Sequence, residues 1–287
     1  MNQIPSSMHE QIDKAAVLVE ALPYMQQFRG KTFLIKVGGS AMENQDLLRK
    51  LMRDIVFMEV VGINPVLVHG GGKAISRAMN DAGLEAKFIN GQRITDEDSI
   101  AIVEKTLSKE VNPGLVEMIN AFGGNGIGLS GRDVFTAERV TELGCVGKVS
   151  SCETKMITAC VVSEHVPVVS PVSSEVDTGL PLNVNADLAA SALATALKPE
   201  KLIFLSDVLG VMRDPADPES LMNTLTSAET EELIAEDVIT GGMIPKVRSA
   251  TEALGAGVEK VHLIDGRIPH SLLLEVFTQG GIGTQII

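Results

Sequence analysis

The sequence of 287 residues predicts an α/β fold, a three-layer αβα sandwich in which helices cover both faces of a mainly parallel central sheet. Apolar runs of strand length alternate with segments of helical periodicity along most of the chain. The first two runs, at 32–37 and 65–69, each end in a glycine-rich turn that a helix pattern follows. This order is typical of parallel sheets, because parallel strands need crossover connections.

The elements after residue 30 form a regular series. Strands are predicted at 32–37, 65–69, 124–130, 161–171, 202–205 and 260–264. Helices are predicted at 44–61, 73–82, 96–121, 186–197, 227–235, 245–256 and 269–277. Short β-like segments follow the strand at 124–130, and the proline- and aspartate-rich turn at 215–218 is the clearest loop.

The first 30 residues are predicted to form an appendage with one extra amphipathic helix before the first core strand. Its apolar stripe consists of Ile12, Ala15, Ala16, Val19 and Leu22. Pro23 then disfavours continuation of this helix. The stripe can pack on its own domain or on another subunit, and the composition favours neither arrangement.

The composition argues against several classes of protein. The formal net charge of −13 disfavours nonspecific binding to nucleic acid, which depends on a basic surface. No apolar stretch reaches the roughly 20 residues that a membrane span needs. Three cysteines, Cys145, Cys152 and Cys160, form neither a C-x-x-C zinc motif nor a disulfide scaffold, so a cytoplasmic protein with reduced thiols is expected.

Four turns carry the residues that point to a chemical function. They are Lys36-Val-Gly-Gly-Ser40, His69-Gly-Gly-Gly-Lys73, Asn183-Val-Asn-Ala-Asp187 and Gly241-Gly-Met-Ile-Pro-Lys246. A glycine turn between a strand and a helix presents unpaired backbone N–H groups without a Cβ in the way, which suits a phosphate. The lysines add mobile positive charge. The sequence therefore predicts a phosphoryl-transfer enzyme, and His69 is interpreted as a structural residue at a strand end rather than as a base.

These turns belong to a longer series of motifs that resembles the N-acetyl-L-glutamate kinases of the amino-acid kinase superfamily. The series runs from about residue 31 to the C-terminus and consists of Lys36-Val-Gly-Gly-Ser40, Val68-His-Gly-Gly-Gly72, Asn90-Gly-Gln-Arg-Ile-Thr95, Gly128-Leu-Ser-Gly-Arg-Asp133, Asn183-Val-Asn-Ala-Asp187, Leu205-Ser-Asp-Val208 and Gly241-Gly-Met-Ile-Pro-Lys246. Each motif alone is weak, but seven of them in the order of the family are highly specific.

The resemblance implies the amino-acid kinase fold and an ATP-dependent reaction with Mg²⁺. The side-chain carboxylate of N-acetyl-L-glutamate would be converted to N-acetyl-L-glutamyl 5-phosphate, the second step of arginine biosynthesis. It also implies an oligomerisation helix at 1–30, an acyl-amino-acid-binding lobe at 31–198, and an ATP-binding lobe with an arginine site at 199–287. The two lobes would share one continuous sheet.

The implied reaction gives the charged residues their roles. A carboxylate that attacks ATP brings two anions together, so that catalysis requires charge neutralisation and alignment rather than a strong base. Lys36 would stabilise the transferring phosphoryl group, and Lys246 would stabilise the charge that grows on the leaving phosphate. Asp187 would hold both lysines through charge-assisted hydrogen bonds.

The resemblance also assigns the binding of the nucleotide. Gly38, Gly39 and Ser40 would donate backbone N–H groups to the phosphates of ATP. Asp207 would border the ATP site at the end of its strand. Mg²⁺ would be carried by ATP, and no protein side chain is expected to hold a metal.

The acceptor would be recognised by a second set of residues. Arg93 would form a two-bond contact with the α-carboxylate of the substrate. Asn183 can donate and accept, which suits an acetamide or a carboxylate. Gly71 and Gly72 would direct backbone N–H groups at the reacting carboxylate. Two segments near this site, at 144–160 and 173–177, depart from the usual sequence of the family.

The N-terminal helix resembles that of the arginine-sensitive members of the family. Those members are hexamers, built as trimers of dimers and inhibited by L-arginine, and a PII-type signalling protein is a further possible partner. Tyr24, His270 and Glu275 are the residues that we would assign to the arginine site. No nucleic acid and no membrane is expected as a partner.

Two other functions stay open. Another amino-acid kinase would act on glutamate, carbamate or aspartate, but Arg93 and the run from Asn183 to Asp187 argue against it. A catalytically silent arginine-sensing subunit would have lost Lys36, Asp187 or Lys246, whereas all three are present.

Overall fold

The structure is a computed structural model that describes residues 6–89 and 91–287; Asn90, in the third of the seven motifs, lies outside the described residues. The helices described are α1 (Ser6–Phe28), α2 (Gln45–Val60), α3 (Gly72–Asp81), α4 (Glu97–Lys105), α5 (Asn112–Ala121), α6 (Lys155–Val162), α7 (Ala186–Leu197), α8 (Ser227–Ala235), α9 (Met243–Gly255) and α10 (Ser271–Phe277). A turn of π-helix, Thr106–Val111, joins α4 to α5. The strands described are β1 (Thr32–Val37), β2 (Asn64–His69), β3 (Phe88–Ile89), β4 (Gln92–Arg93), β5 (Gly126–Leu129), β6 (Phe135–Arg139), β7 (Gly147–Cys152), β8 (Val166–Val169), β9 (Val172–Glu175), β10 (Pro181–Asn183), β11 (Lys201–Ser206), β12 (Thr224–Leu225), β13 (Val261–Asp265) and β14 (Thr284–Ile286).

An eight-stranded sheet forms the middle layer, in the order β12-β14-β13-β11-β1-β2-β8-β5. Within the described part of the chain, its neighbouring strands run parallel except for β13 and β14. This arrangement confirms the predicted mainly parallel sheet. Lys36 of β1 pairs with Val68 of β2 on one side and with Phe204 of β11 on the other. The three strands therefore end at the same edge, and the turns that follow them are neighbours.

Successive side chains along a strand of the main sheet point to opposite faces and pack in two hydrophobic cores, one on each face. Leu34 of β1 packs on one face with residues of α7 and α9, such as Ala190 and Val247. Phe33 and Ile35 pack on the other face with α2, α5, α10 and the end of α1. Because both faces are covered, the strands are continuous apolar runs, and this is why β1 and β2 could be identified from the sequence.

Smaller elements surround the carboxyl edge of the main sheet. A four-stranded sheet has the order β10-β9-β6-β7, and β3 and β4 form a two-stranded antiparallel hairpin. Strands from both predicted lobes lie in the eight-stranded sheet, and the division at residue 198 stays a prediction. No helix of the described part is both long and apolar enough to span a membrane.

The prediction of a strand at 161–171 is wrong for its first residues. Val161 and Val162 end helix α6, and β8 covers only Val166–Val169. The apolar run from Ala159 to Val162 can end a helix or begin a strand, and periodicity does not distinguish the two over so short a segment.

Helix α1 continues through Pro23 to Phe28, whereas the sequence predicted that it would end before the proline. Proline removes one backbone donor and disfavours a helix interior. Here Tyr24, Met25 and Phe28 pack against the core on one face of the sheet, and Phe28 is buried there against Phe33. Tertiary packing of the last turn therefore outweighs the local cost of Pro23.

Candidate active site

A carboxylate and two lysines meet at the carboxyl edge of the main sheet. Lys36 lies in β1, Asp187 lies in the first turn of α7, and Lys246 lies in the first turn of α9. Lys36 Nζ is 2.9 Å from Oδ1 of Asp187, and Lys246 Nζ is 2.8 Å from Oδ2. Each oxygen of one carboxylate thus contacts a different lysine.

The electrostatics of this cluster favour an anion. Burial by itself would raise the pKa of the Asp187 carboxyl, but the charges of Lys36 and Lys246 outweigh burial and lower that pKa to about 2. Asn185 caps α7, since its side chain accepts a hydrogen bond from the Asp187 N–H at 2.8 Å. Two lysines on one ionised carboxylate leave an excess of positive charge beside a helix N-terminus, which attracts a phosphate.

Lys36 lies on the wall between two cavities. The Arg93 cavity, of about 210 Å³, is lined by Lys36, Gly38, Gly39, Gly70, Gly71, Gly72, Arg93, Asn183 and Asp187 among others. The Lys246 cavity, of about 370 Å³, is lined by Lys36, Gly39, Leu205, Ser206, Asp207, Val208, Thr240, Gly242, Met243 and Lys246. The structure therefore brings the four predicted acceptor residues to one side of Lys36. Of the four predicted ATP residues, Gly39 and Asp207 line the Lys246 cavity, while Gly38 and Gly39 line the Arg93 cavity.

The first glycine turn is fixed by an aspartate at the end of β11. Oδ1 of Asp207 accepts hydrogen bonds from both the N–H and the hydroxyl of Ser40, each at 2.8 Å. Gly39 has a φ of +67°, and a Cβ at this position would overlap the Asp207 carboxylate. A Cβ at Gly38 would overlap the ammonium group of Lys36. The two glycines thus allow the backbone to approach both charged groups, while the Ser40 N–H is already engaged by Asp207.

Arg93 is held in the wall of the Arg93 cavity by four contacts. Its Nη2 donates hydrogen bonds to the carbonyl of Gly72 and to Oγ of Ser76, each at 2.7 Å. Phe88 pairs with Arg93 across the β3–β4 hairpin, and the ring centroid of Phe88 lies 4.7 Å from the guanidinium carbon. Burial lowers the pKa of Arg93 from its ordinary value, but an arginine remains charged at neutral pH. Both hydrogens of Nη2 have acceptors, and Nη1 donates to Sδ of Met79 at 3.4 Å, so that one hydrogen of Nη1 and the hydrogen of Nε are left to contact a ligand.

Asn183 and the second glycine turn complete the lining of the Arg93 cavity. Asn183 ends β10, and its Nδ2 donates to Oγ1 of Thr95 at 3.0 Å. Gly71 is the N-cap of α3, and Gly72 is the first residue of that helix. Because the first N–H groups of a helix have no partner within the helix, this turn offers donors to an anion in the cavity.

The structure brings together two of the three residues predicted for an arginine site. Tyr24 and Glu275 line a separate cavity of about 630 Å³ beside the end of α1. His270 lies elsewhere, where its Nδ1 is 2.7 Å from Oδ1 of the buried Asp54. That pair joins α2 to the start of α10.

A histidine that the sequence reasoning missed lines the cavity of Tyr24 and Glu275. The Nδ1 of His262 is 2.6 Å from Oε1 of Glu275, and its Nε2 is 2.9 Å from Nζ of Lys201. Burial lowers the pKa of His262 and lowers that of Lys201 to about 8. Burial would raise the pKa of Glu275, but the contact with His262 and the hydrogen bonds from the N–H groups of Ile282 and Gly283 together outweigh burial, and the pKa is lowered. The sequence signal for this cluster is the presence of two polar residues, Lys201 and His262, in strands that are otherwise mostly apolar.

The fold and the site together define an αβα protein with glycine turns suited to anions along one edge of a mainly parallel sheet. Residues 31–265 match the amino acid kinase family. The chain is 56% identical over 285 residues to an acetylglutamate kinase of Akkermansia muciniphila, with 96% of each chain covered. It is 46% identical over 288 residues to an acetylglutamate kinase of Halothermothrix orenii, with 98% of this chain and 99% of the relative covered. The chain therefore belongs to the amino acid kinase family, which confirms the resemblance seen in the seven motifs.

Solved structures of related proteins have the same architecture. N-acetylglutamate synthase from Neisseria gonorrhoeae, complexed with coenzyme A and N-acetyl-glutamate, is 26% identical with a TM-score of 0.84, and the match covers 95% of this chain. This chain spans 63% of the length of that synthase. Carbamate kinase of Giardia is 18% identical with a TM-score of 0.68, over 90% of this chain and 99% of that one, and shows the fold alone.

Proposed function

We propose that this chain transfers the γ-phosphoryl group of ATP to the side-chain carboxylate of N-acetyl-L-glutamate, the second step of arginine biosynthesis. The observation that carries the proposal is the position of the buried Lys36 between two cavities, held at 2.9 Å by Asp187. Transfer between two anions requires a positive charge at their junction. The relatives named acetylglutamate kinase, at up to 56% identity, support this acceptor.

In the proposed reaction the acceptor occupies the Arg93 cavity and ATP occupies the Lys246 cavity. A carboxylate oxygen of the acceptor forms a bond to the γ-phosphorus while the bond from that phosphorus to the β–γ bridging oxygen breaks. Lys36 neutralises the group in transit, and Lys246 neutralises the charge that grows on the departing ADP. Asp187 positions both ammonium groups. No base is needed, because a carboxylic acid is already ionised at neutral pH.

The remaining residues bind and orient the two substrates. Gly38 and Gly39 allow the ATP phosphates to approach the backbone, and Asp207 borders the nucleotide. Mg²⁺ would enter with ATP and reduce the charge of its phosphates. In the described part of the chain, no three His, Cys, Asp or Glu side chains lie close enough to hold a metal by themselves.

The acceptor requires donors of two kinds. Arg93 is proposed to bind the α-carboxylate, and Asn183 to bind an amide or carboxylate group. Gly71 and Gly72 are proposed to donate their N–H groups to the reacting carboxylate. Free glutamate would leave the groups that serve the acetamide unpaired, so we expect it to be a poor substrate.

We also propose that L-arginine inhibits the enzyme and that α1 joins three dimers into a hexamer. Support comes from the exposed apolar side chains of α1, which include Ile12, Val17, Leu18, Val19 and Leu22. The cavity of Tyr24 and Glu275 adjoins the end of the same helix, and a buried carboxylate is a suitable acceptor for a guanidinium group. Binding of a PII-type regulator and a cytoplasmic location stay predictions.

The experiment that tests the proposal is ATP turnover with N-acetyl-L-glutamate, measured beside glutamate, carbamate and aspartate and with or without L-arginine. We expect turnover that depends on N-acetyl-L-glutamate and falls as L-arginine is added. Preference for another acceptor would indicate a different amino-acid kinase. Absence of turnover with every acceptor, together with binding of L-arginine, would indicate a silent sensing subunit.

A further inference from the structure

His69, the last residue of β2, is completely buried next to the Arg93 cavity, yet no step of the proposed transfer uses it. Its two ring nitrogens contact two different groups. Nδ1 is 2.8 Å from the carbonyl oxygen of Gly70, and Nε2 is 3.2 Å from Nδ2 of Asn112, the first residue of α5. The histidine therefore connects a helix in the core to the second glycine turn.

The partners of His69 determine which nitrogen carries the proton. The Asn112 Nδ2 donates one hydrogen to the carbonyl of Val168 at 2.8 Å and has a second hydrogen for the ring. Nε2 of His69 must then accept, so that Nδ1 carries the hydrogen and donates it to the Gly70 carbonyl. Burial lowers the pKa of His69 to about 4 against the opposing effect of the bond to Gly70, so the ring is neutral near pH 7 and is not available as an acid.

The bond to Gly70 has a consequence for the next N–H group. The Gly70 carbonyl and the Gly71 N–H belong to one planar trans peptide, and so they point in opposite directions. The Gly70 N–H is also fixed, since it donates to the carbonyl of Val37 at 2.7 Å. Within the described residues the Gly71 N–H donates to no other group of the chain, and Gly71 lines the Arg93 cavity.

We propose that His69 is a positioning residue, whose Nδ1–H holds the Gly70 carbonyl toward the core and so turns the Gly71 N–H toward the acceptor. The inference deepens the proposed function, because it assumes that this N–H contacts the reacting carboxylate. With the opposite orientation of the peptide, the Gly70 carbonyl oxygen would face an anion and repel it. Leu107 of the π-helical turn packs where a Cβ of Gly71 would lie, so the segment before Asn112 also confines this peptide.

Two substitutions separate positioning from simple structural support. In His69→Asn, the side-chain amide nitrogen can take the position of Nδ1 and donate to Gly70. In His69→Gln, the amide lies nearer the position of Nε2, so the bond to Gly70 is lost. His165→Gln is the matched control, because His165 is only partly buried and its Nδ1 contacts the carbonyl of Ser163 away from the site.

We expect His69→Gln to lower kcat by about 10²-fold, the effect of removing one preorganised donor. The KM for ATP should stay unchanged, and thermal unfolding should show a folded protein. His69→Asn should recover most of the lost kcat, and the control should match the parent. A folded His69→Gln protein with the kcat of the parent would overturn the inference, and so would equal losses in the two His69 variants.

The tautomer gives a second test on the unsubstituted chain, which holds even if neither variant folds. The ¹⁵N signals of the His69 ring at about pH 7 should show a protonated Nδ1 and a bare Nε2. A protonated Nε2, with or without a proton on Nδ1, would overturn the inference. If the parent fails to turn over N-acetyl-L-glutamate, the proposed function fails, while the ring signals still decide whether His69 donates to Gly70.

Discussion

Lys36 and Lys246 contact opposite oxygens of one carboxylate, that of Asp187, at 2.9 and 2.8 Å. The lysines come from a strand and a helix that are far apart in the sequence, and Asp187 comes from a third element between them. A single rigid group therefore sets the separation of the two ammonium groups. In the proposed reaction, this separation aligns one charge with the phosphoryl group and the other with the leaving phosphate.

The first prediction concerns the role of Lys36 in the chemical step. Lys36→Ala should lower kcat by about 10²–10³-fold, because it removes a charge that acts mainly in the transition state. The KM for N-acetyl-L-glutamate should change much less. Steady-state kinetics with each substrate varied in turn measure both quantities.

Lys31→Ala is the matched control for this experiment. Lys31 precedes the same strand but is half exposed and pairs with Glu200 at the surface. We expect the control to retain the activity of the parent. Retention of kcat in Lys36→Ala, or an equal loss in the control, would show that the charge between the two cavities is not used.

The second prediction concerns the pH dependence of stability. The pKa of Asp187 is lowered from 3.8 to about 2 in the folded chain. Its ionised form therefore contributes stability that is present above about pH 4 and is lost as the pH falls toward 2. In Asp187→Asn, two lysines lose their counter-charge, and the variant should unfold more easily at neutral pH.

Urea unfolding of the parent and of Asp187→Asn at a series of pH values tests this prediction. The difference in free energy of unfolding should shrink as the pH falls from about 4 to about 2, because the parent carboxylate becomes protonated there. A difference that stays constant over this range would mean that Asp187 does not carry the buried charge.

The sequence predicted the parts of the site that depend on local signals. Lys36 lies near the end of an apolar strand and Gly38 and Gly39 follow that strand, and this order alone indicates an anion site. The contact of Lys246 with Asp187 could not be read from spacing, since it depends on how α7 and α9 pack, and only the family resemblance suggested it. The contact of His69 with Asn112 could not be read from the sequence for a similar reason, since it depends on how α5 packs on the sheet.

The third prediction concerns recognition of the acceptor by Arg93. Arg93→Lys should raise the KM for N-acetyl-L-glutamate and leave that for ATP nearly unchanged. A lysine ammonium group cannot reproduce the planar arrangement in which the guanidinium bonds Gly72 and Ser76 and directs its other N–H groups toward a ligand. The two KM values from the same preparation measure the effect.

Arg248→Lys provides the control, because Arg248 is exposed on α9. It should leave both KM values near those of the parent. Equal losses for both substrates in Arg93→Lys would instead indicate a general disturbance of the fold around the β3–β4 hairpin.

The fourth prediction concerns α1 and assembly. Leu18→Asp introduces a charge into the exposed apolar surface of this helix and should prevent its packing on another subunit. Removal of residues 1–20 should have the same effect, and this cut retains Tyr24 and the buried Phe28. If the helices pair about a two-fold axis, both changes should convert a hexamer into an active dimer.

Sedimentation velocity, together with activity at increasing L-arginine concentration, separates the two parts of this prediction. Inhibition through the ring requires that L-arginine bind one assembly better than the other, with a coupling of roughly 1–3 kcal/mol. The dimeric variants should therefore keep their kcat and need more L-arginine for inhibition. Variants that remain hexameric would show that α1 does not join the dimers, and dimers that keep full sensitivity would show that inhibition acts within the dimer.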